Sequence, residues 1–223
     1  MSEYRLVIPC LMGVEGLVGN ELRDMGAQNV EPQNGRVFFD GSEEMIARAN
    51  LWSRYGERVL IQLAEFRAIS RSQGNPMGEM DRKKEAFPVK GRSLSSKLAS
   101  VPDCQSIVKK AVVERLKAKY GQSWFEETDS LHQIQFLILK DQVSILLDTS
   151  GAGLHKRGYR ANSTEAPIKE TLAAAMVHLS RVRRDANFID PFCGSGTILI
   201  EAALYAMHMA PGLQRRFAAE RWE

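Results

Sequence analysis

The sequence predicts an α+β chain that opens with a small ferredoxin-like unit and ends on the start of an α/β unit. Three observations predict it. In residues 1–67, apolar runs with strand and helix periodicity alternate in a β-α-β-α-β order, the plan of a ferredoxin-like unit. A basic middle block follows, with one long amphipathic helix and two strands. Residues 187–203, NFIDPFCGSGTILIEAA, then pass from a short apolar run through a glycine turn into an apolar stretch with no breaker, as a strand and helix of an α/β layer would.

The elements follow in order. Tyr4–Cys10 reads as a strand. Val14, Leu17, Val18, Glu21, Leu22 and Met25 recur at helical spacing, with Gly26 placed to end the helix. Gly35–Asp40 is a second strand, Ser42 can cap a helix through Leu51, and Arg58–Phe66 alternates as a third strand on Val59, Ile61 and Leu63. Ile69–Lys84 is polar and irregular and supports no element. After AFPVKGRS, a helix is expected from Asp103 to Tyr120 with Ile107, Val108, Ala111, Val112 and Leu116 on one face, stopped by Gly121. Its other face carries Lys109, Lys110, Arg115, Lys117 and Lys119, either as a solvated face or as a charged surface for a partner. Two strands, Leu131–Lys140 and Val143–Thr149, meet in a turn near Asp141.

Residues 150–164, SGAGLHKRGYRANST, read as a glycine-rich, basic linker. Pro167 favours the first turn of a helix whose apolar face is Ile168, Leu172, Ala175, Met176 and Leu179. Asn187–Asp190 is expected to end a buried strand, and Thr197–Met209 to form a helix stopped by Pro211-Gly212.

With 223 residues and 44% apolar content the chain can bury ordinary cores. It has no run of about eighteen apolar residues, and MSEYRLVIPC lacks the basic-then-apolar pattern of a signal peptide, so a cytoplasmic protein without a membrane partner is expected. Cys10, Cys104 and Cys193 are far apart with no CxxC pair, and the four histidines lack metal-ligand spacing; neither a disulfide nor a metal site is expected. Net charge is only +3, but residues 81–160 hold 15 Lys/Arg against 9 Asp/Glu, a surplus of 6 that leaves the remainder at −3. The central excess favours an anionic partner such as RNA.

The glycine turn offers bare backbone and a helix N-terminus, which suit a ligand with an anionic group. A P-loop would need Lys after its second glycine, and here Gly196 precedes Thr197 and Ile198. A dinucleotide fingerprint would need a third glycine where Leu199 stands, so NAD is disfavoured. A nucleoside with an amino-acid tail remains, its ammonium group meeting the carboxylate of Asp190. That describes S-adenosylmethionine.

DPFCGSGTILIEAA, preceded by GLHKRGYR at 153–160 and EAPIKETLAAA at 165–175, resembles the THUMP-containing RNA methyltransferases of class I fold, in particular bacterial ribosomal RNA guanine-N2 methyltransferases. GVEGLVGNEL, VPDCQSIVKKAVVERL and LLDTSG extend the likeness over nearly the whole chain, with Ile69–Lys84 fitting it poorly. The resemblance implies a ferredoxin-like unit at 1–67, a THUMP-like RNA-binding domain at 68–155, and at 156–223 a linker with the start of a Rossmann-like methyltransferase domain. It places the cofactor between Pro167, Ile168 and Lys169 on one side and Asp190, Phe192, Cys193, Gly194, Gly196 and Thr197 on the other, with Lys169 facing the cofactor's carboxylate or solvent. For RNA, the basic middle block and the HKRGYR segment point to Lys90, Arg92, Lys97, Lys109 and Lys110, and to His155, Lys156, Arg157, Tyr159 and Arg160. Those last five mix charge with an aromatic and could grip phosphate and stack on a base, or simply pack between domains.

The Asn/Asp-Pro-Pro-Tyr/Phe motif that positions an exocyclic amine in such enzymes does not occur, and no carboxylate is placed to hold the cofactor's ribose. No catalytic residue is therefore assigned. The chain is expected to be the N-terminal portion of a methyltransferase, inactive alone and prone to self-association through uncovered apolar surface. Two other readings stay open: an RNA-binding adaptor without catalysis, and an adenine-N6 methyltransferase acting on DNA or RNA.

Overall fold

The computed structural model describes residues 3–67, 88–120, 132–160, 167–185 and 187–222, with the side chains of 115–120 outside that set. The expectations for Ile69–Lys84, for Gly121, and for Arg115, Leu116, Lys117 and Lys119 fall outside the described residues. The chain forms two compact units, Met1–Ile61 with Thr149–Glu220, and Gln62–Asp148 with Arg221–Glu223.

The first unit contains β1 (Tyr4–Pro9), α1 (Glu15–Asp24), β2 (Gln28–Gln33), β3 (Arg36–Gly41), α2 (Glu43–Trp52) and the beginning of β4 (Leu60–Arg67), in the strand order β2-β3-β1-β4. β1 runs antiparallel to both neighbours, with Leu6 opposite Phe39 on one side and Ile61 on the other. This is a ferredoxin-like βαββαβ unit. β2 was not anticipated: QNVEPQ is polar and mostly exposed, and it is held by a backbone ladder to β3 with a register shift between Gln28 and Glu31. α1 buries Val18 and Leu22 as its spacing predicted, in a core with Leu6, Ile8, Val37, Phe39 and Val59.

The same core takes in Ala174 and Ala175 of α4 (Glu170–Leu179). Of the face expected of that helix, Ala175 is buried as expected, whereas the bulky residues are turned outward. Ala173, Ala174, Ala175 and Val177 are buried, whereas Leu172, Met176 and Leu179 are 37%, 44% and 67% exposed. Small residues let the helix backbone approach the sheet closely, and the bulky side chains are left on the outer side. The helix also begins later than expected: Lys169 is its N-cap in extended conformation, and Pro167–Lys169 lead into it without helical turns. α5 (Thr197–Ala206) packs against α4 and ends before Met209. Past it, Gly212 is required where the chain meets α2, because a Cβ there would lie 2.8 Å from the Leu51 carbonyl oxygen. Asn187–Asp190, expected as a strand, forms no ladder among the described residues. An extended segment becomes a strand only when a neighbour takes its backbone groups.

In the second unit β4 is followed in space by β7 (Gln142–Asp148), β6 (Ile134–Leu139) and β5 (Val89–Leu94). β5 and β6 are parallel and are joined through α3 (Val101–Tyr120), as a parallel pair requires. Gly91 is opposite Phe136 in this pairing, and a Cβ at Gly91 would sit 2.3 Å from the Phe136 ring. The β6–β7 hairpin turns at Lys140 and Asp141, both at positive φ, the geometry of a tight two-residue connection. α3 faces the sheet with Val101, Cys104 and Val108 against Phe136, Ile138 and Val143, and leaves Ile107 62% exposed. The expected face was thus rotated, since it had Ile107 and Ala111 inward. No described helix is long and apolar enough to cross a membrane.

Candidate functional site

The glycine turn is built where α5 begins. Gly194 and Gly196 have φ of 53° and 72°, the left-handed region that favours glycine, and Gly196 is the N-cap of α5. The Gly196 N–H donates to the Cys193 carbonyl at 2.7 Å, closing the turn. Among the described residues no side chain caps α5. A Cβ at Gly196 would meet nothing within 4 Å, so the backbone is open to a ligand's approach. Phe192 is 94% exposed and Cys193 is exposed beside it. Ser195 and Thr197 share a hydroxyl hydrogen bond of 3.0 Å, with Thr197 buried.

Asp190 lies just before the turn. Its Oδ1 accepts from the Phe192 N–H at 3.0 Å, and its Oδ2 is buried with no hydrogen-bond partner among the described residues. A buried carboxylate oxygen left unpaired is costly unless a donor arrives. A cationic donor for Asp190 and an anionic group for the uncapped helix end together fit the ammonium and carboxylate of an amino-acid-tailed nucleoside. A cavity of about 840 Å³ lies elsewhere in this unit, between α1, α2 and the C-terminal ends of α4 and α5. Much of its polar lining is satisfied internally, the hydroxyls of Tyr55 and Tyr205 both meeting His178 Nδ1 and Glu21 accepting from Ser53 and Arg54, while Arg54 Nη1 is buried without a partner among the described residues. The turn, with its open backbone and the buried Asp190 oxygen, is the better fit to that ligand.

Lys169 is exposed, in line with the solvent alternative, and its Nζ lies 3.6 Å from Glu57 Oε1, an oxygen to which Thr171 Oγ1 also donates. Pro167 and Ile168 are half-buried ahead of it.

The HKRGYR segment is mostly committed inward. Arg157, expected to meet RNA, is 2% exposed; it pairs with Glu201 at 3.4 Å and donates to the carbonyls of Ser53, Arg54 and Leu154. Nothing of it is left for a phosphate, so the packing alternative holds at Arg157. Tyr159 donates to Glu201 at 3.0 Å, and burial beside that carboxylate pushes its phenol pKa up. Arg160 donates to Thr197 Oγ1 at 2.7 Å and pairs with Glu170. His155 lies 3.5 Å from Glu57, and burial lowers its pKa despite that neighbour. Lys156 alone of these cations is exposed outward. Sequence reasoning missed Glu201, yet a carboxylate inside the apolar TILIEAALYA was a signal, since a buried charge needs a partner.

In the second unit Lys90 and Arg92 are exposed at alternate positions of β5, hence on one face of an edge strand. Lys97 is exposed in the turn that follows, its backbone N–H donating to Asp141. On α3, Lys110 is exposed and 3.9 Å from Glu114, whereas Lys109 is half-buried with its pKa lowered by burial.

Three domain families match in chain order: the RlmL ferredoxin-like domain over residues 5–60, the THUMP domain over 76–148, and the RMKL-like methyltransferase domain over 157–222. The chain is similar to the THUMP-domain-containing methyltransferases of class I fold, with their three domains in chain order. Among relatives, the Bacillus subtilis protein named "Putative RNA methyltransferase YpsC" is 47% identical over all of this chain and 60% of its own length. The ribosomal RNA large subunit methyltransferase K/L of Psychromonas ingrahamii is 33% identical over 97% of this chain and 30% of its own length. The structure described as "SMU.472, a putative methyltransferase complexed with SAH" superposes with a TM-score of 0.85 at 40% identity, covering 100% of this chain and 60% of SMU.472. The chain thus spans about 60% of the length of YpsC and of SMU.472.

Proposed function

We propose that this chain recognises RNA and holds S-adenosylmethionine within a methyltransferase that modifies ribosomal RNA of the large subunit at guanine N2. The observation that carries the cofactor is the buried, unpartnered Oδ2 of Asp190 beside the open backbone of Gly194–Gly196. The SAH held by SMU.472 and the name of the Psychromonas relative support the cofactor and the RNA class. Asp190 would take the ammonium group, and the N–H groups opening α5 would face the carboxylate. Pro167 and Ile168 would line the methionine end. When bound, the cofactor supplies an electrophilic methyl group; these residues hold and orient it. Aligning the amine with the methyl carbon accounts for about 7–11 kcal/mol of barrier lowering in well-oriented systems. No residue of this chain is assigned that task, so the chain by itself transfers no methyl group.

The test compares this chain, its Asp190→Ala variant and a longer form carrying the rest of a methyltransferase domain, in a radiolabelled-methyl assay on bacterial RNA with nucleoside mapping. Label should enter only with the longer form, as N2-methylguanosine. Incorporation by residues 1–223 that Asp190→Ala abolishes would overturn the assignment of transfer to other residues, and N6-methyladenosine as the product would overturn the target.

A further inference from the structure

Arg160 occupies a place that RNA binding does not explain. Its side chain is 19% exposed, and one guanidinium nitrogen, Nη2, donates to Thr197 Oγ1 at 2.7 Å and lies 3.2 Å from Glu170 Oε1. Thr197 is the first residue of α5, directly after Gly196, and Glu170 is the first residue of α4, directly after Pro167–Lys169. Both are buried, at 1% and 5% exposure. A cation at two helix N-termini is opposed by both macrodipoles, so helix stability does not account for it. Glu170 offsets that charge, and the rigid guanidinium fork suits a bridge between two fixed acceptors.

The bridge reaches into the turn. With Arg160 donating to Thr197 Oγ1, the threonine's own proton is free for Ser195 Oγ at 3.0 Å. A continuous line, Glu170–Arg160–Thr197–Ser195, therefore joins the start of α4 to the interior of the glycine turn. We propose that Arg160 is a positioning residue of the cofactor site, which sets the spacing between the Pro167–Lys169 segment and the Gly194–Gly196 turn by bridging Glu170 and Thr197. This inference rests on the cofactor reading above.

The test uses the ligand-free chain first, with amide hydrogen exchange across Gly194–Leu199, and then SAH titrated into the millimolar range and followed by the Gly194 and Gly196 amide resonances. Arg160→Ala and the near-isosteric Thr197→Val should each raise exchange in the turn and weaken SAH about tenfold, the loss of roughly one charge-assisted hydrogen bond. The two changes combined should weaken SAH by less than the product of their separate effects, because both remove the Arg160–Thr197 bond. Thr197→Ser restores the acceptor and should recover both readouts. Amides of Leu6–Ile8 report that the fold is intact in every variant, and if Arg160→Ala disturbs them, Thr197→Val decides. Thr197→Val with unchanged exchange and unchanged SAH affinity would overturn the positioning role alone. Absence of SAH binding by the unsubstituted protein, in this chain and in the longer form, would overturn the cofactor reading and this role with it.

Discussion

Arg157 and Glu201 face each other at 3.4 Å with 2% and 0% of their side chains exposed, joining the residues just ahead of α4 to the middle of α5. Glu201 Oε1 also accepts from Tyr159, while its Oε2 is buried without a partner among the described residues, and burial raises its pKa. Removing one member of such a pair strands the other charge, at a cost of about 3–5 kcal/mol, whereas replacing both by apolar residues is often near neutral. Arg157→Met should therefore shift the urea midpoint strongly downward, and Arg157→Met combined with Glu201→Leu should recover much of the loss. Equal losses in the single and double variants would mean that the backbone carbonyl bonds of Arg157, not the ion pair, hold this contact.

This pair also shows where the sequence stops being legible. A tract of His, Lys, Arg, Tyr and Arg carries the composition of an RNA grip, and composition cannot reveal an acceptor 44 residues further on. The glycine turn was readable because its determinants are contiguous: two glycines at positive φ and an apolar helix directly behind them. The ferredoxin-like plan was readable from periodicity, except for β2, whose pairing is carried by backbone groups that polar side chains do not advertise. The α4 face was legible at Ala175 but not at Leu172, Met176 and Leu179, because bulky apolar residues were assigned inward, whereas Ala174 beside Ala175 makes the close approach.

Glu21 gives a pH dependence with a definite sign. Burial pushes its carboxyl from 4.5 up to about 7, against the Arg54 N–H and Ser53 hydroxyl bonds that favour its ionised form. A raised folded-state pKa means that the folded chain holds the proton more tightly than the unfolded one. The associated stability is present below pH 4.5 and is lost as pH rises to about 7. Replacing Glu21 by Gln should flatten the urea-stability profile over that interval relative to the parent. A carboxyl carbon resonance of Glu21 that titrates below pH 5 would contradict the assignment.

For RNA, the exposed pair on β5 replaces Arg157 as the informative target. If Lys90 and Arg92 each meet a phosphate, Lys90→Ala with Arg92→Ala should lower the magnitude of the log–log salt slope by roughly 1.4–1.8 in filter binding on ribosomal RNA fragments. Neither side chain is buried, so stability should stay within about 0.5 kcal/mol of the parent. An unchanged slope would move the RNA contact away from this edge strand.

The outer side of α4 supports the last prediction. Leu172, Met176 and Leu179 follow one another at intervals of four and three residues, which places them on one helix face, and Ile189 and Phe192 nearby in sequence are 82% and 94% exposed. Scattered apolar side chains on a surface are ordinary, but a contiguous apolar patch beyond about 300–600 Å² is a surface that another body covers. At the concentrations used for sedimentation this chain should therefore self-associate and bind a hydrophobic dye. Met176→Glu with Leu179→Lys should return it to a monomer, because both side chains are outside the core that holds Ala174 and Ala175. The unfolding midpoint should hardly move in that variant, since the substitutions leave the buried face untouched. A parent chain that sediments as a monomer without dye binding would show that these side chains do not form one adhesive patch, whatever their individual exposure.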